Sequence, residues 1–173
     1  VPMFIAGIVM MIKNPSLLAS RLDAKEKQKE QGIVIKLSGL MFVVGFILAG
    51  LDFRYGWIKL SSWLPYIFAV LFILGYILFG FVLKQNTYLS RTIKVEEGQT
   101  VVDTGLYGVV RHPMYMATLL MFLSMPLILG SLVSFFVFLM YPILIGIGAV
   151  NEEKLLEKEL KGYKEYKQKV KYK

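Results

Sequence analysis

The sequence predicts an all-α, multi-span transmembrane helical bundle, and three observations carry that prediction. Hydrophobic residues make up 56% of the 173 positions and charged residues only 18%, less charge than a soluble domain of this size carries. Apolar stretches over 33–51, 63–83 and 113–150 reach bilayer-spanning length. Of the 20 Lys and Arg residues, five lie in 13–32, four in 84–115 and eight in 151–173, whereas only Arg54 and Lys59 fall in 52–62. By the positive-inside rule, the first three of these segments face the cytoplasm and 52–62 the far side, an assignment that alternates correctly from span to span.

The same facts narrow the function. The net charge of +8 follows the topology, with some attraction to anionic lipid, so it does not indicate nucleic acid as a partner. The absence of cysteine excludes disulfides, thiolate metal sites and thiol catalysis, and with a single histidine it argues against any metal centre.

The elements follow in order within one membrane-embedded domain over 1–173. Residues 1–12 are apolar but too short to cross, and read as a partial first span rather than a signal peptide, since no basic segment precedes them. Residues 13–32 form a polar loop with Asn14-Pro15 as a breaker and a short helix over 16–31. The span 33–51 carries only Lys36, placed to snorkel. An outer turn over 52–62 holds the interfacial aromatics Tyr55 and Trp57, and Trp63 opens the next span. Within 63–83, Gly75 and Gly80 allow close helix contact.

The loop over 84–112 is long for a compact protein, which points to function. It contains two turn-like stretches, Val95-Glu96-Glu97-Gly98-Gln99 and Asp103-Thr104-Gly105. Pro113 suits a helix start. The apolar run 113–150 is too long for one ordinary span and predicts a hairpin turning at Gly130-Ser131, with arms 113–129 and 131–150 kinked by Pro126 and Pro142. The tail predicts one helix over 151–170. Leu155, Leu156, Leu160, Tyr163, Tyr166 and Val170 share one face of it, which rests on the membrane surface or caps the bundle. On that wheel Glu152 falls near the centre of the apolar arc and Glu153 at its edge.

Polar residues therefore gather at one membrane face: Tyr107, Arg111, His112 and Tyr115 before the hairpin, Glu152 and Glu153 after it. Each has an ordinary reading alone. Basic and aromatic residues anchor span ends, and glutamates suit a helix N-terminus. Together they suggest a site, because polar groups at that depth are costly without partners.

Gly105-Leu106-Tyr107-x-x-Val110-Arg111-His112-Pro113-x-Tyr115, followed by the hairpin, Glu152-Glu153-x-x-Leu156 and Tyr163-x-x-Tyr166-x-x-x-Val170, resembles the isoprenylcysteine carboxyl methyltransferase family. The phospholipid methyltransferases are similar in the same region. The resemblance covers 99–170 closely and 13–36 more loosely. It implies an integral membrane enzyme using S-adenosyl-L-methionine on a lipophilic or prenylated substrate drawn from membrane lipid. It also implies Arg111, His112 and Glu152 as catalytic residues. The cofactor pocket would be lined by Gln99, Thr100, Val101, Val102 and Tyr107, by His112, Pro113, Met114 and Tyr115, and by Glu152 and Glu153.

The leading expectation is thus carboxyl O-methylation at the cytoplasmic face. Departures from the family pattern bear on the substrate more than on the cofactor. Ala117 stands where many members have glycine. Gly148 stands where the prenylcysteine enzymes carry an arginine, and no Arg or Lys lies between 112 and 153. Phospholipid N-methylation is the first alternative. A sterol-reductase-like NADPH enzyme shares an Arg-His-x-x-Tyr region and is the second, and a non-enzymatic membrane scaffold is the third. No Gly-x-Gly-x-x-Gly follows a strand, which excludes a soluble Rossmann methyltransferase.

Overall fold

The computed structural model describes residues 11–12, 29–86, 95 and 98–172. Most of the partial span 1–12, the loop and short helix over 13–28, and the Glu96-Glu97 turn lie outside the described residues. Among the described residues the helices follow in the order α1 (Lys29–Tyr55), α2 (Leu64–Gln85), α3 (Pro113–Ile128), α4 (Leu132–Phe138), α5 (Met140–Glu159) and α6 (Tyr163–Lys169). A 3-10 turn, Gly105–Gly108, interrupts the loop between α2 and α3. The described residues form no β-strand, only a single bridge between Val110 and Tyr172.

Three stretches are long and apolar enough to cross a membrane: Gly32–Tyr55, Leu64–Gln85 and Leu132–Glu159. The apolar α3 has 16 residues and is about 24 Å long at the α-helical rise, short of a ~30 Å hydrocarbon core. Of the about five spans predicted, the first lies mostly outside the described residues; among the described residues three stretches reach spanning length and α3 is a shorter apolar helix.

The hairpin turns where the sequence places it. Gly130 takes a left-handed φ of +75°, and the Ser131 side chain accepts from the Ser134 N–H to cap α4. The second arm is one apolar stretch, Leu132–Glu159, with its interruption within a turn of Pro142. The interruption falls at Leu139, so that Pro142 lies in the first turn of α5, where a missing N–H costs nothing.

The tail departs from expectation. Instead of one helix over 151–170, α5 runs without a break to Glu159, the chain turns at Leu160–Gly162, and α6 begins at Tyr163. Gly162 sits at φ +87°, a conformation other residues rarely adopt.

Packing follows from small residues and aromatics. Gly75 lets α2 lie against α3: a Cβ there would stand 2.8 Å from Met121 Cγ and 3.1 Å from the Ala117 carbonyl oxygen. Ala117 is fully buried at this crossing. Gly80, by contrast, faces open space. Gly45 accommodates the Phe138 ring, which a Cβ would strike. Around Phe138 gather Met41, Tyr141 and Leu144, with Phe42 and Phe122 packed on them. The Phe42 ring meets Phe122 and Phe138 edge-on at centroid distances of 4.9 and 5.2 Å.

At the far end of α1, buried Asp52 is held by neutral donors. The Ser131 hydroxyl donates to its Oδ2 at 2.6 Å and the Ile58 N–H to its Oδ1 at 3.2 Å. The Ser134 hydroxyl donates to the Gly45 carbonyl at 2.7 Å. These bonds tie α1, the outer turn and α4 together. The sequence offers no hint of this clasp.

Candidate active site

The site begins with a turn that only glycine permits. Gly105 has φ +58°, and a Cβ on it would lie 2.5 Å from Gln85 Nε2. The tight approach lets Gln85 Oε1 accept from the Leu106 N–H at 3.0 Å, which joins the loop to the end of α2. The following 3-10 turn buries Tyr107 against Val82, with Val102 and Met114 packed beside them. The Tyr107 hydroxyl accepts from Asn86 Nδ2 at 3.2 Å, and its carbonyl accepts from the Tyr166 hydroxyl at 2.7 Å. Burial pushes the Tyr166 phenol up to about 12 and also raises those of Tyr107 and Tyr163. All three stay neutral at working pH.

The chain end then straps the loop in place. The Arg111 N–H donates to the Tyr172 carbonyl at 2.9 Å, and Arg111 Nη1 donates to the Val170 carbonyl at 2.6 Å. Leu160, Tyr163, Tyr166 and Val170 bury their shared face against Val95, Val101 and Leu156. That face packs on the loop through Val95 and Val101. Lys169 Nζ reaches Asp103 Oδ2 at 3.0 Å.

His112 precedes Pro113 and begins α3, its carbonyl accepting from the Tyr115 and Met116 N–H groups at 3.0 and 3.3 Å. The two glutamates follow one another on α5, so their side chains leave the helix about 100° apart. His112 lies between them, with Nε2 3.1 Å from Glu153 Oε1 and Nδ1 3.5 Å from Glu152 Oε2. Arg111 Nε donates to Glu153 Oε1 at 2.8 Å, and Lys167 Nζ lies 3.3 Å from Glu153 Oε2 while also pairing with Glu157. Glu152 receives the Tyr115 hydroxyl on Oε2 at 2.8 Å. The rings of His112 and Tyr115 stack at a centroid distance of 5.3 Å.

This arrangement reverses the wheel reading of the acids. Glu153 is the buried one, 3% exposed, while the Glu152 side chain keeps 24% of its surface open. A buried carboxylate needs charge partners, and Glu153 has Arg111 and Lys167. Glu152 is the more accessible of the two.

Arg111, His112, Tyr115, Glu152 and Glu153 thus come together as one network. Tyr107, Met114 and Val102 form an adjoining layer, and buried Pro113 starts the helix between. Val101 points the other way, into the tail cluster. Gln99 is half-buried and Thr100 exposed at the start of the loop. Lys167, Asn86 and the Val170 and Tyr172 carbonyls were not anticipated. Lys167 looks like part of a solvated lysine face, and backbone acceptors leave no mark in a sequence.

The phospholipid methyltransferase family model matches residues 64–162, more than half of the chain. The chain belongs to the phospholipid methyltransferase family. No curated protein matches it. Family membership makes it a membrane methyltransferase, and the match takes in α2 to α5 with the whole polar loop. It addresses the family at large and does not single out the isoprenylcysteine branch. A methyltransferase of this kind needs a methyl donor, and Glu152 is the more open of the two acids in the network. Its carboxylate is half-buried, and its Oε2 is engaged by Tyr115.

Proposed function

We propose that this protein transfers a methyl group from S-adenosyl-L-methionine to the amine headgroup of a lipid, at the cytoplasmic face of its membrane. The observation that carries the choice of an amine is the distribution of charge. Arg111 and Lys167 are both paired with Glu153, so the network keeps no cation for an acceptor carboxylate. The more accessible acid is the Glu152 carboxylate, which attracts an ammonium and repels another carboxylate. Gly148, where the prenylcysteine enzymes carry an arginine, supplies no charge either.

When bound, S-adenosyl-L-methionine supplies a methyl group activated on a sulfonium. The chain's own residues do the rest. Tyr115 holds Glu152 in place through its hydroxyl. An ammonium must lose a proton before its nitrogen pair can form the new C–N bond as the C–S bond breaks, and Glu152 is placed to accept it. His112, between the two glutamates, orients Glu152 and shares that proton. Arg111 acts at one remove by fixing Glu153 and the tail. Carboxyl O-methylation of a prenylcysteine is the second reading, favoured by the Gly105–Tyr115 motif, and it needs no base.

The test combines calorimetric binding of S-adenosylhomocysteine with transfer of labelled methyl to phosphatidylethanolamine or to N-acetyl-S-farnesylcysteine. The expected result is binding by the detergent-purified protein, at least tenfold weaker in Glu152→Gln and His112→Ala. Labelled phosphatidylethanolamine should form at a rate that rises with pH as the amine deprotonates. Label appearing only in farnesylcysteine, at a rate flat in pH, would establish the second reading instead. A folded protein that binds no S-adenosylhomocysteine defeats both.

A further inference from the structure

A cavity of about 320 Å³ lies between α1, α3 and α5. Its wall includes Tyr115, the residue whose hydroxyl holds Glu152, so the cavity adjoins the polar network directly. It extends along α3 from Tyr115 to Phe122, roughly 10 Å at the α-helical rise. There Phe42, Phe122 and Tyr141 close it, with Phe122 4.9 Å from both Phe42 and Tyr141. Apart from the hydroxyls of Ser38, Tyr115 and Tyr141 the lining side chains are hydrocarbon, and the exposed Gly39 marks the side that opens outward.

Two features give this cavity a meaning the family does not supply. Val34, Ile35, Ser38, Gly39 and Phe42, nearly half of its lining, come from α1, and α1 lies wholly outside the residues that the family model matches. The volume is also at the small end for a ligand site, where roughly 300–1,000 Å³ is usual. It suits one hydrocarbon chain and cannot enclose a two-chain lipid.

We propose that α1 selects the methyl acceptor: one hydrocarbon chain of the lipid lies between Gly39 and Tyr115 and ends against Phe42 and Phe122. The headgroup then stands beside Glu152, and any second chain stays in the bilayer. This rests on the methyl-transfer reading above. Hydrocarbon arriving from a bilayer leaves an apolar medium for another, so the cavity acts through shape, on which chain fits, more than through hydrophobic gain. Gly39 is the width control, because nothing stands within 4 Å of a Cβ there. Phe42 and Phe122 are the length control.

The experiment measures kcat/KM for a series of lysophosphatidylethanolamines differing only in acyl length, and for S-prenyl-N-acetylcysteines of two to four isoprene units. Each variant's S-adenosylhomocysteine affinity is measured beside it. Gly39→Phe should keep that affinity within about twofold and lose at least tenfold in kcat/KM on long chains, shifting the preference to shorter ones. Phe42→Ala should move the preferred length the other way. Gly50→Phe, on the same helix but facing open space, should match the wild type and so control for a bulky residue on α1. An unchanged length profile in both cavity variants, with methyl transfer intact, overturns the role of α1 while leaving methyl transfer standing. Loss of S-adenosylhomocysteine binding in the wild type defeats the underlying reading instead.

Discussion

Two buried carboxylates hold the two ends of this bundle, by opposite means. Asp52, at the outer end, is satisfied by the Ser131 hydroxyl and a backbone N–H. Glu153, at the loop end, is gripped by Arg111, His112 and Lys167. Both are 3% exposed, so burial alone does not separate them. The difference lies in what each arrangement can do next. Neutral donors fix geometry and bring no second charge to the carboxylate, which suits a clasp between helices. A carboxylate surrounded by ionisable groups sets the charge and orientation of its neighbours, and its neighbour His112 reaches the open Glu152. The loop end therefore holds a network that acts, and the outer end one that only binds.

Breaking the charged end should have the largest effect. Arg111→Ala removes the Nε bond to Glu153 and the Nη1 bond to the Val170 carbonyl together, leaving a buried carboxylate short of its main partner. That costs on the order of 3–5 kcal/mol and frees the tail from the loop. The expected outcome is a large drop in the thermal midpoint in detergent and no detectable methyl transfer. Arg111→Lys should recover only part, since an ammonium cannot serve two acceptors in the fixed geometry of a guanidinium. An Arg111→Ala protein with wild-type stability would remove the distinction drawn between the ends.

The outer end should give a smaller effect of a different kind. Ser131→Ala deletes both the donor to Asp52 and the cap on α4, worth about 1–3 kcal/mol together. Stability should fall while S-adenosylhomocysteine affinity and the turnover of folded molecules stay at wild-type values. A change in turnover would mean that the outer clasp reaches the site through α4 and α5, and the two ends would no longer be independent.

How far the sequence reveals all this depends on the range of each interaction. The spans are legible because hydropathy is a sum over neighbours, and the hairpin because Gly130 supplies the positive φ that the turn uses. Tyr107, Arg111, His112 and Tyr115 are legible through their motif. Which glutamate is buried is not. The wheel drawn through Leu155 to Val170 takes its face from the tail, whereas α5 buries the face that carries Leu144, Gly148, Ala149, Asn151 and Glu153, a face set by packing upstream of the acids. The Asp52–Ser131 bond joins residues 79 apart, with no local pattern to mark either. The interruption at Leu139 falls within the turn before Pro142, whose ring and missing N–H disturb the helical ladder there.

The smallest expected effect tests whether the strap belongs to the charged end at all. Lys167 is 39% exposed, and its bonds to Glu157 and Glu153 raise its pKa above the ordinary lysine value. A raised folded-state pKa means a contribution fully present below about pH 10.4 and lost as the pH climbs through the folded value. Because the pair is partly solvated, that contribution is a few tenths of a kcal/mol up to about 1. Lys167→Met should therefore lower the thermal midpoint by the same small amount at every pH from 6 to 9, with the difference from wild type closing only once the pH passes the raised folded-state value. Raised salt should narrow the gap, since an exposed pair is screened. Lys167→Arg should restore the midpoint. If Lys167→Met is instead as damaging as Arg111→Ala, then Lys167 and Arg111 are equal counter-charges of Glu153, and the strap is as much a part of the charged end as the loop is.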